Sequence, residues 1–114
     1  MSDLLNKAKD CAVYLGLVLP ATGAHCGLTN DDRFREWRKA AYDDPGFLYD
    51  GDYFAVYEEC RGKNPGELSE DRTRACITFL LRQMRNSYAP YPCLTSGELL
   101  GYLNRWIELK EEAE

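Results

Sequence analysis

The most regular hydrophobic pattern of the chain lies between residues 68 and 86. Apolar residues recur there every three or four positions, which is the spacing of one face of an α-helix. Ser69 can cap the first turn, and the acidic residues that follow it suit a helix N-terminus. The pattern predicts a central helix with Cys76, Ile77, Leu80 and Met84 on its apolar side and Arg74, Thr78, Arg82 and Arg85 on the opposite side.

Three further segments show the same spacing of apolar residues. We predict helices over residues 3–18, 31–42 and 95–107. The last of these has a capping box, in which Thr95 and Glu98 satisfy free backbone N–H groups of the first turn. Gly101 lies inside this helix at a cost of about 1 kcal/mol relative to alanine, which indicates a close contact there. The acidic tail, 108–114, is expected to fray.

The segment 47–58 fits two structures. Its Asp50-Gly51 pair between aromatic-rich runs is a hairpin signal, and its aromatic residues favour strands. A glycine and a proline shortly after residue 61 are instead typical of the end of a helix. We favour a helix over 51–61 with Asp50 as its N-cap, and a short hairpin is the alternative. The whole chain, 1–114, is therefore predicted to be a single compact all-α domain of about five helices.

The composition narrows the class of protein. The 114 residues are 45% hydrophobic and 12% aromatic, which is typical of a globular rather than a disordered chain. The net charge of −5 argues against non-specific attraction to nucleic acid or to anionic lipid. No apolar run approaches the ~20 residues that span a bilayer, and the acidic start lacks the features of a secretory leader. We therefore predict a cytoplasmic protein that does not bind membranes.

The five cysteines do not form a recognisable framework. They are odd in number, widely spaced and without a CxxC pair, whereas secreted disulfide scaffolds usually have an even, closely spaced set. His25 and Cys26 are the only adjacent histidine and cysteine. Together with Cys11 and Cys60 they have the ligand types of a zinc site, but the spacing is unlike that of a zinc knuckle or ribbon. We predict reduced thiols, no metal and no cofactor.

Negative charge is concentrated in residues 42–60, which we call the acidic-aromatic segment. It contains six acidic residues and no basic residue, so its charge is −6 and the rest of the chain carries +1. Tyrosine and phenylalanine residues alternate with the acids, a combination that suits an interface with a basic protein. The alternative is that the rings complete the core and the acids face solvent. The predicted partner-binding residues are Asp43, Asp44, Tyr49, Asp50, Asp52, Tyr53, Tyr57, Glu58 and Glu59.

No catalytic residue is predicted. The neighbouring carboxylates lie where helix capping and turn formation explain them. They are Asp31 with Asp32, Asp43 with Asp44, and Asp50 with Asp52. A glycine-rich phosphate loop and the GxSxG and HExxH motifs do not occur in the sequence. We therefore do not expect enzyme activity.

Two runs in the C-terminal half, ITFLLRQMRN and SGELLGYLNRW, belong to two predicted helices, and a loop connects them. They resemble a family of small bacterial and phage domains of unknown function. The matching residues are Thr78, Arg82, Arg85, Gly97, Leu100, Leu103 and Arg105. The chain departs from the family pattern at Asn86, where the family has an aromatic residue, and at 88–92, which replace a glycine loop. The resemblance implies no activity, but it implies a bacterial or mobile-element source.

We predict a small, non-catalytic protein that binds a basic protein surface through the acidic-aromatic segment. A specific form is a phage or mobile-element inhibitor of a host nucleic-acid-handling complex, similar to an anti-CRISPR protein, in which the acids replace phosphates. One alternative is a nucleic-acid-binding or transcription-regulatory domain, although a long, proline-containing connection disfavours a helix-turn-helix. A further alternative is a small-molecule site. The residues for these alternatives are Arg74, Arg82, Arg85, Tyr88 and Tyr91.

Overall fold

The computed structural model describes residues 3–18, 31–44, 46–85 and 97–113. This part of the chain contains five α-helices, one 3₁₀ helix and no strand, which confirms the all-α prediction. The helices are α1 (Asp3–Val18), α2 (Asp32–Asp43), α3 (Tyr53–Cys60), α4 (Glu70–Arg85) and α5 (Glu98–Ala113), and the 3₁₀ helix is Pro65–Glu67.

The helices pack in a chain of neighbours rather than around one axis. The last helix, α5, packs against both α1 and α4, while α2 covers α1 and α3 covers α4. The core follows these contacts and includes fully buried leucine and isoleucine side chains from three of the helices. They are Leu15, Ile77, Leu80, Leu81, Leu99 and Leu103.

Phe47, in the connection between α2 and α3, packs between α2 and α5. Its side chain is only 2% exposed. The ring lies edge-on to Trp37 of α2 at 6.4 Å between centroids and edge-on to Trp106 of α5 at 5.1 Å. Edge-to-face pairs of this kind each contribute about 0.5–1.5 kcal/mol beyond the burial of their area. The connection is therefore part of the core rather than a surface loop.

The segment 47–58 is helical from Tyr53 onward, so the hairpin alternative is wrong. The N-cap is Asp52, whose carboxylate accepts the backbone N–H of Ala55 at 3.0 Å, and not Asp50 as predicted. The helix ends as expected, because Gly62 has a φ of +84°, a conformation that glycine adopts without strain.

The C-terminal helix is longer than expected. It continues to Ala113, through the segment that was predicted to fray, and two of its last residues form ion pairs with other helices. Lys9 of α1 lies 2.8 Å from Glu111, and Glu70 of α4 lies 2.7 Å from Lys110. These contacts with α1 and α4 explain why the acidic end stays helical.

The predicted contact at Gly101 is with the 3₁₀ helix. A Cβ atom added to Gly101 would lie 3.5 Å from Cγ of Pro65, which is an ordinary van der Waals distance. The predicted capping box at the start of α5 involves Thr95, which lies outside the described residues. Among the described helices, none combines the length and the apolar character that a membrane crossing requires.

Candidate interaction surface

Two side chains of α4 hold the residues that precede α3. The Nε of Arg74 donates to the carbonyl oxygen of Phe47 at 2.7 Å, and its Nη2 donates to that of Leu48 at 3.3 Å. The hydroxyl of Thr78 accepts the backbone N–H of Tyr49 at 2.9 Å. Both side chains were predicted on the polar side of α4, yet Thr78 is fully buried. They fix the path of the chain into α3.

Arg74 is therefore a structural residue. Its third donor group, Nη1, pairs with Asp71 at 3.0 Å, and the side chain is 18% exposed. A guanidinium whose three nitrogens each donate to a group of its own chain is poorly placed to bind phosphate. This geometry speaks against Arg74 as a phosphate-binding residue in the alternative functions.

Phe54 and Phe79 form an aromatic ridge between α3 and α4. Phe54 is 54% exposed, and its ring centroid lies 5.5 Å from that of Phe79. Beneath the ridge, the ring of Tyr57 stacks on Phe79 at 4.2 Å and is only 9% exposed. Tyr57 thus belongs to the core and not to the exposed surface that the sequence predicted for it.

Tyr57 also connects α3 with α5. Its hydroxyl donates to Oε2 of Glu98, the first residue of α5, at 2.5 Å. Burial, followed by this hydrogen bond to a carboxylate, raises the pKa of Tyr57 above its usual range. The tyrosine stays protonated and the hydrogen bond is maintained throughout the neutral range.

Arg82 lies between two tyrosine rings. Its guanidinium carbon is 6.0 Å from the ring centroid of Tyr42 in α2 and 5.9 Å from that of Tyr53 in α3. Cation–π contacts at such distances contribute roughly 0.5–1 kcal/mol each when they are exposed. Arg82 is half-buried and links three helices, so its guanidinium is engaged in the fold.

The acidic residues of the acidic-aromatic segment do not share one face. Asp43 and Asp44, at the end of α2, line a groove of about 530 Å³ whose other walls include Lys7 and Lys39. Asp44 also accepts the backbone N–H of Gly46 at 2.8 Å. Asp43 and Asp44 thus share this groove with two lysines, and Asp44 also has a structural role.

The two glutamates of α3 also lie near basic side chains. Glu58 is 3.1 Å from Arg61, and Glu59 is 3.9 Å from Arg72. All four side chains are more than 40% exposed, so each pair contributes about 0–1 kcal/mol. The local negative charge at this end of α3 is largely compensated.

Asp50 and Asp52 lie directly before α3, close in sequence to Phe54 of the aromatic ridge. Both are exposed, and neither forms an ion pair with any residue in the described part of the chain. Tyr49 and Tyr53 beside them are partly buried. We call Asp50, Asp52, Tyr53, Phe54 and Phe79 the α3 surface.

Phe54 was not among the predicted contact residues, although a signal for it exists. Phe54 and Glu58 are four positions apart and therefore share one face of α3. An acid at that spacing from an aromatic residue indicates that the face is exposed to solvent. The core-facing position three residues after Phe54 is occupied by Tyr57, which was predicted as a contact instead.

The remaining residues named for the alternative sites are Tyr88, Tyr91 and Arg85. Both tyrosines and the side chain of Arg85 lie outside the described residues.

The described cysteines are free and buried. They are Cys11, Cys60 and Cys76. Burial, and then the neighbouring thiol of Cys60, raise the pKa of Cys76, so it stays a thiol at neutral pH. Within the described ranges, no three His, Cys, Asp or Glu residues are grouped as metal ligands would be. His25 and Cys26, which have the ligand types of a zinc site, lie outside those ranges.

Comparison of the chain with protein-family models, with curated proteins and with solved structures finds no match. The resemblance of the C-terminal half to a family of bacterial and phage domains gains no support from these comparisons. The residues of this chain and the geometry of the α3 surface therefore carry the functional proposal.

Proposed function

We propose that this protein is a non-catalytic binding protein that engages a basic protein partner through the α3 surface. The observation that carries the proposal is the exposed Phe54 ring, close in sequence to the carboxylates of Asp50 and Asp52, which have no cationic partner among the described residues. Aromatic residues provide much contact area at small entropy cost, and nearby uncompensated charge selects a partner of opposite sign. Among the nine residues first predicted, Asp50, Asp52 and Tyr53 belong to this surface.

A narrower form of the proposal is an inhibitor from a phage or mobile element. In that form the α3 surface occupies a site where a host protein would otherwise bind nucleic acid, and the carboxylates stand in place of phosphates. We place the protein in the cytoplasm, as the free thiols of Cys11, Cys60 and Cys76 fit a reducing compartment.

The arginines of α2 give little support to the competing nucleic-acid function. Arg33 lies 3.1 Å from Asp31, and Arg35 lies 3.6 Å from Asp32. A phosphate contact at these positions would have to compete with an existing carboxylate. Retention of mixed DNA and RNA in a gel shift at low salt would nevertheless favour nucleic-acid binding over binding of a basic protein.

The proposal is tested with the variant Asp50→Lys/Asp52→Asn. Asparagine caps helices as well as aspartate does, so the second change removes charge without removing the α3 cap. The matched control is Asp10→Lys/Glu112→Gln, which changes the net charge equally at exposed positions of α1 and α5. The probes are labelled basic peptides in which the triplets Arg-Gly-Ser or Lys-Gly-Ser are repeated.

Fluorescence anisotropy at low and at physiological salt measures the binding. We expect the wild type and the control to bind, with weaker binding at higher salt, because screening reduces attraction between exposed charges. The Asp50/Asp52 variant should bind at least about tenfold more weakly at low salt, since it loses both anionic contacts and adds a repulsive one. If this variant binds as tightly as the control, the α3 surface is not the site.

A further inference from the structure

The start of α2 contains a guanidinium, a ring and a carboxylate that contact one another. Asp31 is the N-cap of α2, and its carboxylate accepts hydrogen bonds from Nε and Nη2 of Arg33 at 3.1 and 3.3 Å. The guanidinium carbon of Arg33 lies 4.9 Å from the ring centroid of Tyr14 in α1. The hydrogen bonds from Arg33 lower the pKa of Asp31. Carboxylate and ring thus hold one guanidinium between them.

Apart from Arg82, which lies against Tyr53, the start of α3 has a carboxylate and an exposed ring but no guanidinium paired with them among the described residues. Its N-cap is Asp52, and the residue two positions later, which corresponds to Arg33 in α2, is Phe54. The Cα atoms of Asp52 and Phe54 can be at most about 7.6 Å apart along the chain. The backbone N–H of Tyr53 donates to the carbonyl of Gly51 at 2.9 Å, which closes a tight turn directly after Asp50. Within the described residues, no cation pairs with either carboxylate.

We propose that the partner supplies the missing group as an arginine, whose guanidinium lies on the exposed ring of Phe54 and pairs with Asp50 or Asp52. This inference rests on the proposed function, and it specifies which basic residue the α3 surface selects. Arginine is favoured over lysine because its planar guanidinium stacks on rings and binds a carboxylate through two parallel hydrogen bonds. An ammonium group has the same charge but neither property.

The size of the preference follows from those two properties. Loss of stacking on an exposed ring and of one of two parallel hydrogen bonds weakens binding by about three- to tenfold. The repeated Arg-Gly-Ser and Lys-Gly-Ser peptides have equal length and charge, so a difference in their affinities reports the arginine preference alone. We expect the wild-type protein to bind the arginine peptide about three- to tenfold more tightly.

Two substitutions of Phe54 locate the preference. Phe54→Leu keeps an apolar side chain of similar size but removes the ring, so the two peptides should bind equally and only through charge. Phe54→Tyr keeps the ring and should retain the preference. Because Phe54 is 54% exposed, neither change is expected to disturb the fold, and circular dichroism with thermal unfolding checks this for each variant.

The outcomes separate this inference from the proposal on which it depends. Equal binding of the two peptides to the wild type would overturn the inference and leave the basic-partner function intact. A preference that persists in Phe54→Leu would also overturn it, since the ring would then have no part in the selection. Binding of neither peptide at low salt would remove the proposed function itself.

Discussion

Replacement of Thr78 by valine removes the hydroxyl on which the backbone of Tyr49 depends. The hydroxyl accepts the N–H of Tyr49 at 2.9 Å and donates to the carbonyl of Arg74 at 2.8 Å. Valine has the same shape, so the substitution leaves no cavity at this fully buried position. What changes is that the N–H of Tyr49 loses its acceptor.

Thr73 provides a matched control in the same helix. It is also fully buried, and its hydroxyl donates to the carbonyl of Ser69 at 2.8 Å, but within the described ranges it accepts no hydrogen bond from another segment. The cost of losing an intrahelical donor and the gain from an added methyl group are common to both valine variants. The difference between them therefore reports the contact with the backbone of Tyr49, whose N–H loses its acceptor and meets a methyl group in its place.

A partly buried N–H without an acceptor costs about 1–3 kcal/mol. We expect Thr78→Val to lower the free energy of unfolding by about 1–2 kcal/mol more than Thr73→Val. Urea denaturation measures this difference, and the melting temperature should differ by roughly 3–6 °C per kcal/mol. Hydrogen exchange supplies a local readout, because the amide of Tyr49 should lose protection in Thr78→Val only.

This role of Thr78 is refuted if the two valine variants unfold at the same urea concentration. It is also refuted if the Tyr49 amide keeps its protection in Thr78→Val. Either result would mean that the segment before α3 is not held by α4 in this way, and the position of the α3 surface would then need another explanation.

Two further predictions concern backbone conformation and pH. Gly101→Ala should raise the free energy of unfolding by up to about 1 kcal/mol, since alanine favours the helix and its Cβ fits. Gly62→Ala should lower the free energy of unfolding by about 1 kcal/mol, because φ is +84° there. Urea denaturation measures both changes, and a lower free energy of unfolding in Gly101→Ala would show that the 3₁₀ helix does not accommodate the added Cβ atom. Burial raises the pKa of Cys11 from 9.0 to about 12, so the thiol loses its proton at lower pH in the unfolded chain than in the folded one. Between pH 9 and pH 12 this thiol should therefore lower the free energy of unfolding by up to about 1.4 kcal/mol per pH unit. Denaturation at several pH values measures the slope, and Cys11→Ala should make it shallower; an unchanged slope would contradict the assignment.

The helices were predictable because their signals are local. The pattern over 3–18 matches α1, which spans Asp3–Val18, and that over 31–42 matches α2, which spans Asp32–Asp43. A helix forms from hydrogen bonds and side-chain pairs three or four positions apart, so a short window of sequence contains most of the information. The errors occurred at ends, such as the cap of α3 at Asp52 rather than Asp50 and the continuation of α5 to Ala113.

The site was predictable only as a segment. The charge and aromatic content of residues 42–60 mark a region with unusual chemistry, but periodicity within one short helix does not show which ring is covered by a distant helix. Tyr57 is buried because Phe79 and Glu98 lie against it, and Phe54 is exposed because no described helix covers it. Burial of each ring depends on residues more than twenty positions away.

The sequence by itself determined where the chain is helical, how strongly the middle segment is acidic and which residue types the site contains. The tertiary structure alone decided which groups meet. Tyr57 and Glu98 are 41 positions apart, and Tyr49 and Thr78 are 29 apart. The physical reason is that helix formation depends on near neighbours, whereas the choice of a hydrogen-bond partner depends on how whole helices pack, and that packing is settled by the combined burial of many side chains.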